Sequence, residues 1–469
     1  MKIAVAALSL GLVAAFTALL GNSQLWAVLA MGFVMASAEI YMLTNMAGGF
    51  TAAIIPIISV NGVFLAAPPL WSRVQELAHV SVRIVSNQDD LIRAALIGIL
   101  FCFAYSAGAM LAGPKRSNLS MADFGQIASQ AVKTNRLPNG LMVAAGYAAI
   151  GLAIYAYQGA LIEGAYLEAR GPFWAVALSS AAIPLAVLAL CIVVVQRGPW
   201  RAFAAVALVI LALILISRST RTLAMLPALL VLARVLISDG RVRRLALVLA
   251  SAMTLLFLRI SLVGRSNPDG VGLIPMAKLL VSRPAELLLG GFNLDGLLGN
   301  VLLSAPLTTA VADRSIPSEA FWISINPLPG GLAGWGEIKE TLLINAYTPY
   351  NSLGELAAQG SVFIFFTATA AGFLVAFSTR IASSVTGPLR IAATLLVIAI
   401  TSYFSVTVLQ YNLRSAARLI WYLVAGVTLI WVVSVGLQRT RPANSNTHSD
   451  SQPRLRPRYS AHYASRTSP

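Results

Sequence analysis

The chemically suggestive residues of this chain are arginines standing where a strongly apolar sequence has little structural need of them. The turn Ser217-Arg218-Ser219-Thr220-Arg221 separates two apolar runs and carries two. Arg259 and Arg265 flank the end of the following run, and Arg283 and Arg314 lie in the polar stretch beyond it. Arg414 and Arg418 stand four residues apart at the start of the last apolar run, on one face of any helix formed there. A guanidinium offers phosphate a planar fork of donors, and a helix starting after Arg221 adds its own unpaired backbone N–H groups. Arginines at such points are equally suited to snorkel to headgroup level, so two readings stand: a site for a multiply charged anion, or interfacial anchors. The acids point to the same part of the chain. Asp269, Glu286, Asp295, Asp313, Glu319, Glu337, Glu340 and Glu355, eight of the seventeen Asp and Glu, fall between Gly264 and Gln359.

These residues need a scaffold, and composition dictates its kind. Hydrophobic residues make up 58%, charged residues 11%, and the mean hydropathy is +0.79, far too apolar for a surface facing water. Runs such as 202–216, 245–257 and 391–400 carry no charge. Many approach the roughly 20 residues that span a bilayer, and in lipid they must be helices, because an open sheet edge leaves backbone groups unsatisfied. The expectation is an all-α polytopic membrane protein of about twelve spans: 3–20, 25–45, 50–71, 91–112, 140–160, 173–195, 201–217, 222–238, 245–263, 360–379, 389–409 and 417–437. Residues 1–263 then carry helices one to nine, 264–359 one large extracytoplasmic loop, 360–437 helices ten to twelve, and 438–469 a disordered basic tail. Ile3 to Leu20 lacks a clear small-residue cleavage site and is kept as a helix. Short connections rich in Lys and Arg, among them Lys115-Arg116, Arg197 to Arg201 and Arg241 to Arg244, put both termini in the cytoplasm and the 264–359 loop outside.

Several function classes recede. The net charge of +16 is explained by this sidedness and by the tail rather than by nucleic acid as a partner. Cys102 and Cys191 lie inside expected spans, which speaks against a disulfide framework. Only His79 of the three histidines lies outside the tail, so no zinc site, other metal site or cofactor is expected. Within the spans Glu39 is the main charge, with Asn61 and Pro56 as possible companions around a cavity. In the loop, 272–289 has the spacing of interfacial helices, and 294–312 is apolar enough for a re-entrant segment or further passages. The Trp and Phe beside Asn326-Pro327-Leu328-Pro329-Gly330-Gly331 suit sugar stacking or an interfacial aromatic belt.

The Ser217–Arg221 element between mid-chain helices, the outer loop with Asn326 to Gly331, and its close on Asn351-Ser352-Leu353-Gly354-Glu355 with Gly360 ahead of the next helix resemble bacterial oligosaccharide repeat-unit polymerases, the O-antigen and exopolysaccharide polymerases of the Wzy type. The motifs are short, while the layout matches along nearly the whole chain. The resemblance implies a GT-C-like glycosyltransferase of the bacterial cytoplasmic membrane, joining repeat units carried on undecaprenyl pyrophosphate, with a flippase and a chain-length regulator as partners. It implies that Arg218 and Arg221 hold the leaving pyrophosphate, supported by Arg265, Arg314, Arg414 and Arg418. It makes Glu355 the candidate base for the attacking hydroxyl, with Tyr350 and Asn351 orienting sugar hydroxyls. The residue types also allow a helix-start carboxylate at Glu355 and plain turn chemistry at 350–351. The chain departs from the family pattern in having no loop histidine. Two rivals stay open: a flippase or transporter for lipid-linked oligosaccharide, which predicts two similar halves, and a glycosyltransferase using a polyprenyl-phosphate sugar. The latter is expected to place paired acids in its first outer loop, whereas here the pair is Asp89-Asp90.

Overall fold

The computed structural model describes residues 28, 32, 34–41, 43, 54, 72, 74–76, 78–79 and 83–84, and then 87–112, 137–165, 168–196, 198–220, 222–237, 244–265, 267, 269–285, 303–328, 330, 332–345, 348–385 and 388–439. Helix dominates. In chain order the elements are α1 (Gln88–Leu111), α2 (Leu137–Tyr157), α3 (Phe173–Val194), α4 (Trp200–Ser217), α5 (Thr222–Ile237) and α6 (Arg244–Arg265). The loop contributes α7 (Leu273–Ser282), α8 (Ser304–Ala312), α9 (Ser318–Ile325), α10 (Trp335–Ile338), the strands β1 (Leu343–Asn345) and β2 (Thr348–Pro349), and α11 (Ser352–Gln359). Three long helices follow: α12 (Ser361–Ser384), α13 (Pro388–Gln410) and α14 (Leu413–Arg439). Among the described residues eight helices are long and apolar enough to cross a membrane: α1 to α4, α6 and α12 to α14. The protein is therefore a helical, membrane-embedded chain. The expected spans at 3–20 and 50–71 fall largely outside the described residues, as does the tail; within 25–45 the described residues, 28, 32, 34–41 and 43, are helical.

Two apolar cores organise the bundle. One joins α1, α11, α12, α13 and α14 with Phe321 of α9; the other joins α2, α3, α4 and α5, against which Phe257 and Ile260 of α6 and Ile398 and Ala399 of α13 pack. In the first, α1 and α12 pack closely because both carry glycine at the crossing. A Cβ on Gly108 would overlap the Thr369 carbonyl, and one on Gly372 would overlap the Tyr105 carbonyl. Small residues provide this approach where the hydrophobic effect supplies no force between lipid-bathed helices. Some hydroxyls in these helices bond back to their own carbonyls, as Thr379 does to Val375 at 2.8 Å and Thr407 to Tyr403 at 2.8 Å, while those of Tyr105, Ser378 and Thr401 are buried without a partner among the described residues.

Local chemistry sets the ends. Asn87 caps α1 in a reciprocal box with Asp90, each side chain accepting the other's backbone N–H at 2.9 and 2.8 Å. Asp90 is thus engaged in capping, and Arg93 one turn later pairs with Asp313 at the end of α8. Of the 294–312 stretch the described part is α8, nine residues buried against α1 and α11 and by itself too short to cross a bilayer, while 294–302 lie outside the described residues. Within 272–289 the helical spacing appears as α7, whose Met276 and Leu279 pack under Ile216, Ile260 and Val263, while 286–289 lie outside the described residues. The antiparallel hairpin of β1 and β2 was not anticipated.

Candidate functional site

Glu355 is held at the junction of loop and bundle by Asn351. That residue caps α11, its Oδ1 accepting the Gly354 N–H at 3.0 Å. Its Nδ2 lies 2.6 Å from Thr308 Oγ1 and 3.1 Å from the Ser304 carbonyl, and 3.4 Å from the Leu409 carbonyl at the end of α13. Fully buried and committed on both sides of its amide, Asn351 ties α8, α11 and α13 together rather than presenting a free donor to a sugar. Ser352 adds a bond from its hydroxyl to the Tyr411 carbonyl at 2.7 Å. Glu355 is 4% exposed, and its Oε1 accepts the Leu413 N–H at 3.2 Å. It stands at a helix start, as the sequence allowed, but the start is that of α14 as well as its own. Burial pushes its carboxyl up to about 8 against the opposing pull of the Leu413 N–H.

Arg414, in the same first turn of α14, is 2% exposed and turned into the loop. Its two Nη atoms donate to the carbonyls of Ile323 and Leu328, and its guanidinium carbon lies 5.3 Å from the Trp335 ring centroid. Trp421 Nε1 donates to the Ile325 carbonyl at 2.9 Å. Residues 326–328 and 330 are therefore gathered around Arg414, whose two Nη atoms are bonded to backbone carbonyls in this conformation while its buried Nε has no partner among the described residues. Arg418 stays near the surface, its Nη2 3.7 Å from where a Cβ on Gly330 would sit. Arg314, on the exposed side, donates to Tyr350 Oη at 3.1 Å, and Tyr350 is itself buried in the small loop core with Val311, Ala320 and Leu342.

Below this junction runs a groove of about 470 Å³ between α9, α12, α13 and α14, with Phe101 of α1 behind it. Phe321, Phe363, Phe366, Phe404 and Trp421 line it, and Ser352, Leu356 and Leu413 form its head. Val362, Phe366 and Trp322 at its rim are 60%, 67% and 63% exposed, so the groove opens sideways from the bundle. Leu413 belongs both to the groove and to the hydrogen bond that holds Glu355.

The other predicted arginines form a second cluster. At the end of α4 the chain turns through Ser219 at φ +49°, with Thr220 N–H bonded to the Leu215 carbonyl and Ser219 N–H to that of Ile216. This is a Schellman close with serine where glycine is usual. α6 holds the strained turn in place: Arg265 Nε donates to the Ser219 carbonyl at 2.8 Å and Ser261 Oγ to the Thr220 carbonyl at 2.8 Å. Arg218, 7% exposed, lies with its guanidinium carbon 4.5 Å from the Tyr157 ring centroid. The segment after α2 is pinned to the loop by paired bonds between Gly164 and Val271. This segment leads to Glu168, whose carboxyl is held below its ordinary value by the Ala165 N–H and by Arg170, with a smaller contribution from Arg218. Arg221 lies outside the described residues.

The single convergent set of arginines expected from the sequence is thus divided: Arg218 and Arg265 at the α4–α6 turn, Arg314 and Arg418 around the loop, and Arg414 inside it. Tyr157 and Glu168 join the first group without any signal in the sequence, because nothing in residue spacing tells which loop folds back on which turn. Glu39, singled out as an intramembrane charge, is 5% exposed and accepts a bond from Ser106 Oγ at 3.2 Å; Asn61 and Pro56 lie outside the described residues. No protein-family model, curated protein or solved structure matches the chain.

Proposed function

We propose that the protein is a membrane glycosyltransferase that joins oligosaccharide repeat units carried on undecaprenyl pyrophosphate at the outer face of the cytoplasmic membrane. The observation that carries this reading is the sideways-opening apolar groove ending at Leu413, directly against the buried Glu355. A polyprenyl tail fits an aromatic, membrane-level groove, and the pyrophosphate it bears is then delivered to the loop side, where Arg314 and Arg418 lie. In the reaction a hydroxyl of one lipid-linked unit attacks the anomeric carbon of the growing chain. The new glycosidic bond forms as the bond from that carbon to the pyrophosphate oxygen breaks, and the electron pair leaves with undecaprenyl pyrophosphate. The hydroxyl proton passes to Glu355, whose raised pKa suits a base working near neutral pH. Because α14's first turn covers the carboxyl, the acceptor reaches it past Ser352 and Leu413 at the groove head. Arg218 and Arg265, with Arg221, are the second anion-holding group, suited to the pyrophosphate of the other lipid-linked partner. The absence of a metal from this scheme is consistent with chemistry in which arginine neutralises the leaving group.

A transport reading has one observation in its favour, the buried Glu39–Ser106 pair in the bundle interior. The experiment that separates the two is the length distribution of surface polysaccharide in cells lacking the protein, complemented with wild type, Arg218→Ala or Glu355→Gln at matched expression. Polymerisation predicts single repeat units at the outer face in the deletion strain and no long chains with either variant. Accumulation of lipid-linked units on the inner face instead would reject the polymerase reading.

A further inference from the structure

At the end of the bundle opposite Arg218 the described helices leave two adjoining cavities of about 300 and 370 Å³. Arg201 lines both. The first is closed by Asn139, Gln196 and Trp200, the second by Arg234 and the last residues of α3. α4 runs 18 residues from Trp200 to Ser217, about 27 Å, so this site and the Arg218 turn sit at opposite bilayer surfaces.

Its construction is specific. Trp200 packs on Gly140, where any Cβ would meet the indole ring at 3.2 Å, and so stands fixed at the start of α4. Asn139 Nδ2 donates to Gln196 Oε1 at 2.7 Å, which leaves further amide N–H groups of the pair facing the first cavity. Arg234 Nη1 reaches the Val195 carbonyl at 3.5 Å, and this brings its guanidinium beside the second cavity and toward Arg201. The four helices that wall the site, Leu137–Tyr157, Phe173–Val194, Trp200–Ser217 and Thr222–Ile237, contain no Asp or Glu. Along α4 from Trp200, whose ring lies 6.0 Å from that of Phe203, the residues Phe203, Val206 and Val209 follow at every third position, 56%, 54% and 60% exposed, and form an apolar track leading away from the first cavity.

We propose that this is a binding site for an anionic glycerophospholipid, its phosphodiester held between Arg201 and Arg234 and its acyl chains lying on the Phe203–Val206–Val209 track. The guanidinium pair supplies charge-assisted bonds to the phosphate oxygens, and the amides and the indole suit the glycerol and ester oxygens. The track is what distinguishes a lipid from free phosphate. The site is independent of the chemistry assigned to Glu355 and stands whether or not that assignment does.

The test is a titration of the delipidated full-length protein in maltoside micelles with pyrene-labelled phosphatidylglycerol or phosphatidylcholine, read by energy transfer from tryptophan. Wild type is expected to take up phosphatidylglycerol saturably and phosphatidylcholine only weakly. Each of Arg201→Gln and Arg234→Gln should weaken phosphatidylglycerol uptake about fivefold and the double variant about twenty-five-fold. Arg283→Gln, on the loop side, should leave uptake unchanged. Wild-type uptake should also weaken as KCl rises from about 50 to 500 mM, a readout that does not depend on any variant folding. Equal uptake of the two lipids, uptake insensitive to salt, or a folded double variant that binds like wild type would overturn the proposal. So would displacement of the lipid by millimolar inorganic phosphate, which would make the site one for a soluble anion.

Discussion

Replacing Glu355 by Gln tests the central group of the site by a quantity that can be worked out in advance. The folded protein holds this carboxyl 4% exposed with one backbone donor, at a pKa of about 8 against an ordinary 4.5. Between these two values the folded chain keeps the proton while the unfolded chain has released it. Unfolding then releases a proton, so stability falls as pH rises from about 4.5 to about 8 and is level on either side. The gap between about 8 and 4.5 corresponds to about 5 kcal/mol of stability lost across that window. Gln keeps an oxygen for the Leu413 N–H and has no charge to bury. The variant should therefore match wild type near pH 4.5 and exceed it progressively, by up to about 5 kcal/mol, at pH 8 and above. Reversible unfolding of both proteins in mixed micelles at half-unit pH steps reads this directly, because every other titrating group cancels in the difference. Parallel curves would refute the reasoning, since they would mean that Glu355 ionises at an ordinary pH or is solvated in the folded state. In a polymerisation assay, wild-type rate should rise with pH through a midpoint near 8 and the Gln variant should be inactive throughout.

Asn351→Ala removes the acceptor that caps the Gly354 N–H and the amide donor that ties α11 to α8 and α13, and should cost about 2 to 4 kcal/mol by the same unfolding measurement. Arg414→Lys keeps the charge but cannot fork to both Ile323 and Leu328; a loss of about 1 to 3 kcal/mol and faster proteolytic cleavage between 326 and 335 are expected, and unchanged cleavage would argue that the guanidinium does not organise the loop. Gly372→Ala forces α12 away from the Tyr105 carbonyl, so thermal denaturation in detergent should show a loss of about 1 to 3 kcal/mol, whereas Gly436→Ala, with open space around it, should be neutral.

Hydropathy alone located the helices: α1 to α6 and α12 to α14 coincide within a few residues with the apolar runs at 91–112, 140–160, 173–195, 201–217, 222–238, 245–263, 360–379, 389–409 and 417–437. Lipid makes this legible, because a segment that must satisfy every backbone group internally announces itself by length and apolarity. The sequence also marked Glu355, Asn351 and the arginines, since charge and amide are conspicuous in such a chain. Their partners were decided elsewhere. That Asn351 is spent on α8 and α13, that Arg414 turns inward to two carbonyls while Arg418 does not, and that Glu355 meets the first N–H of α14 all depend on contacts tens to more than ninety residues apart. The groove has no sequence signature either, because Phe and Trp facing a cavity and Phe and Trp facing lipid are the same residues in the same apolar helices. Local composition fixes what can enter the membrane; only packing between distant segments decides which polar groups are left to do chemistry there.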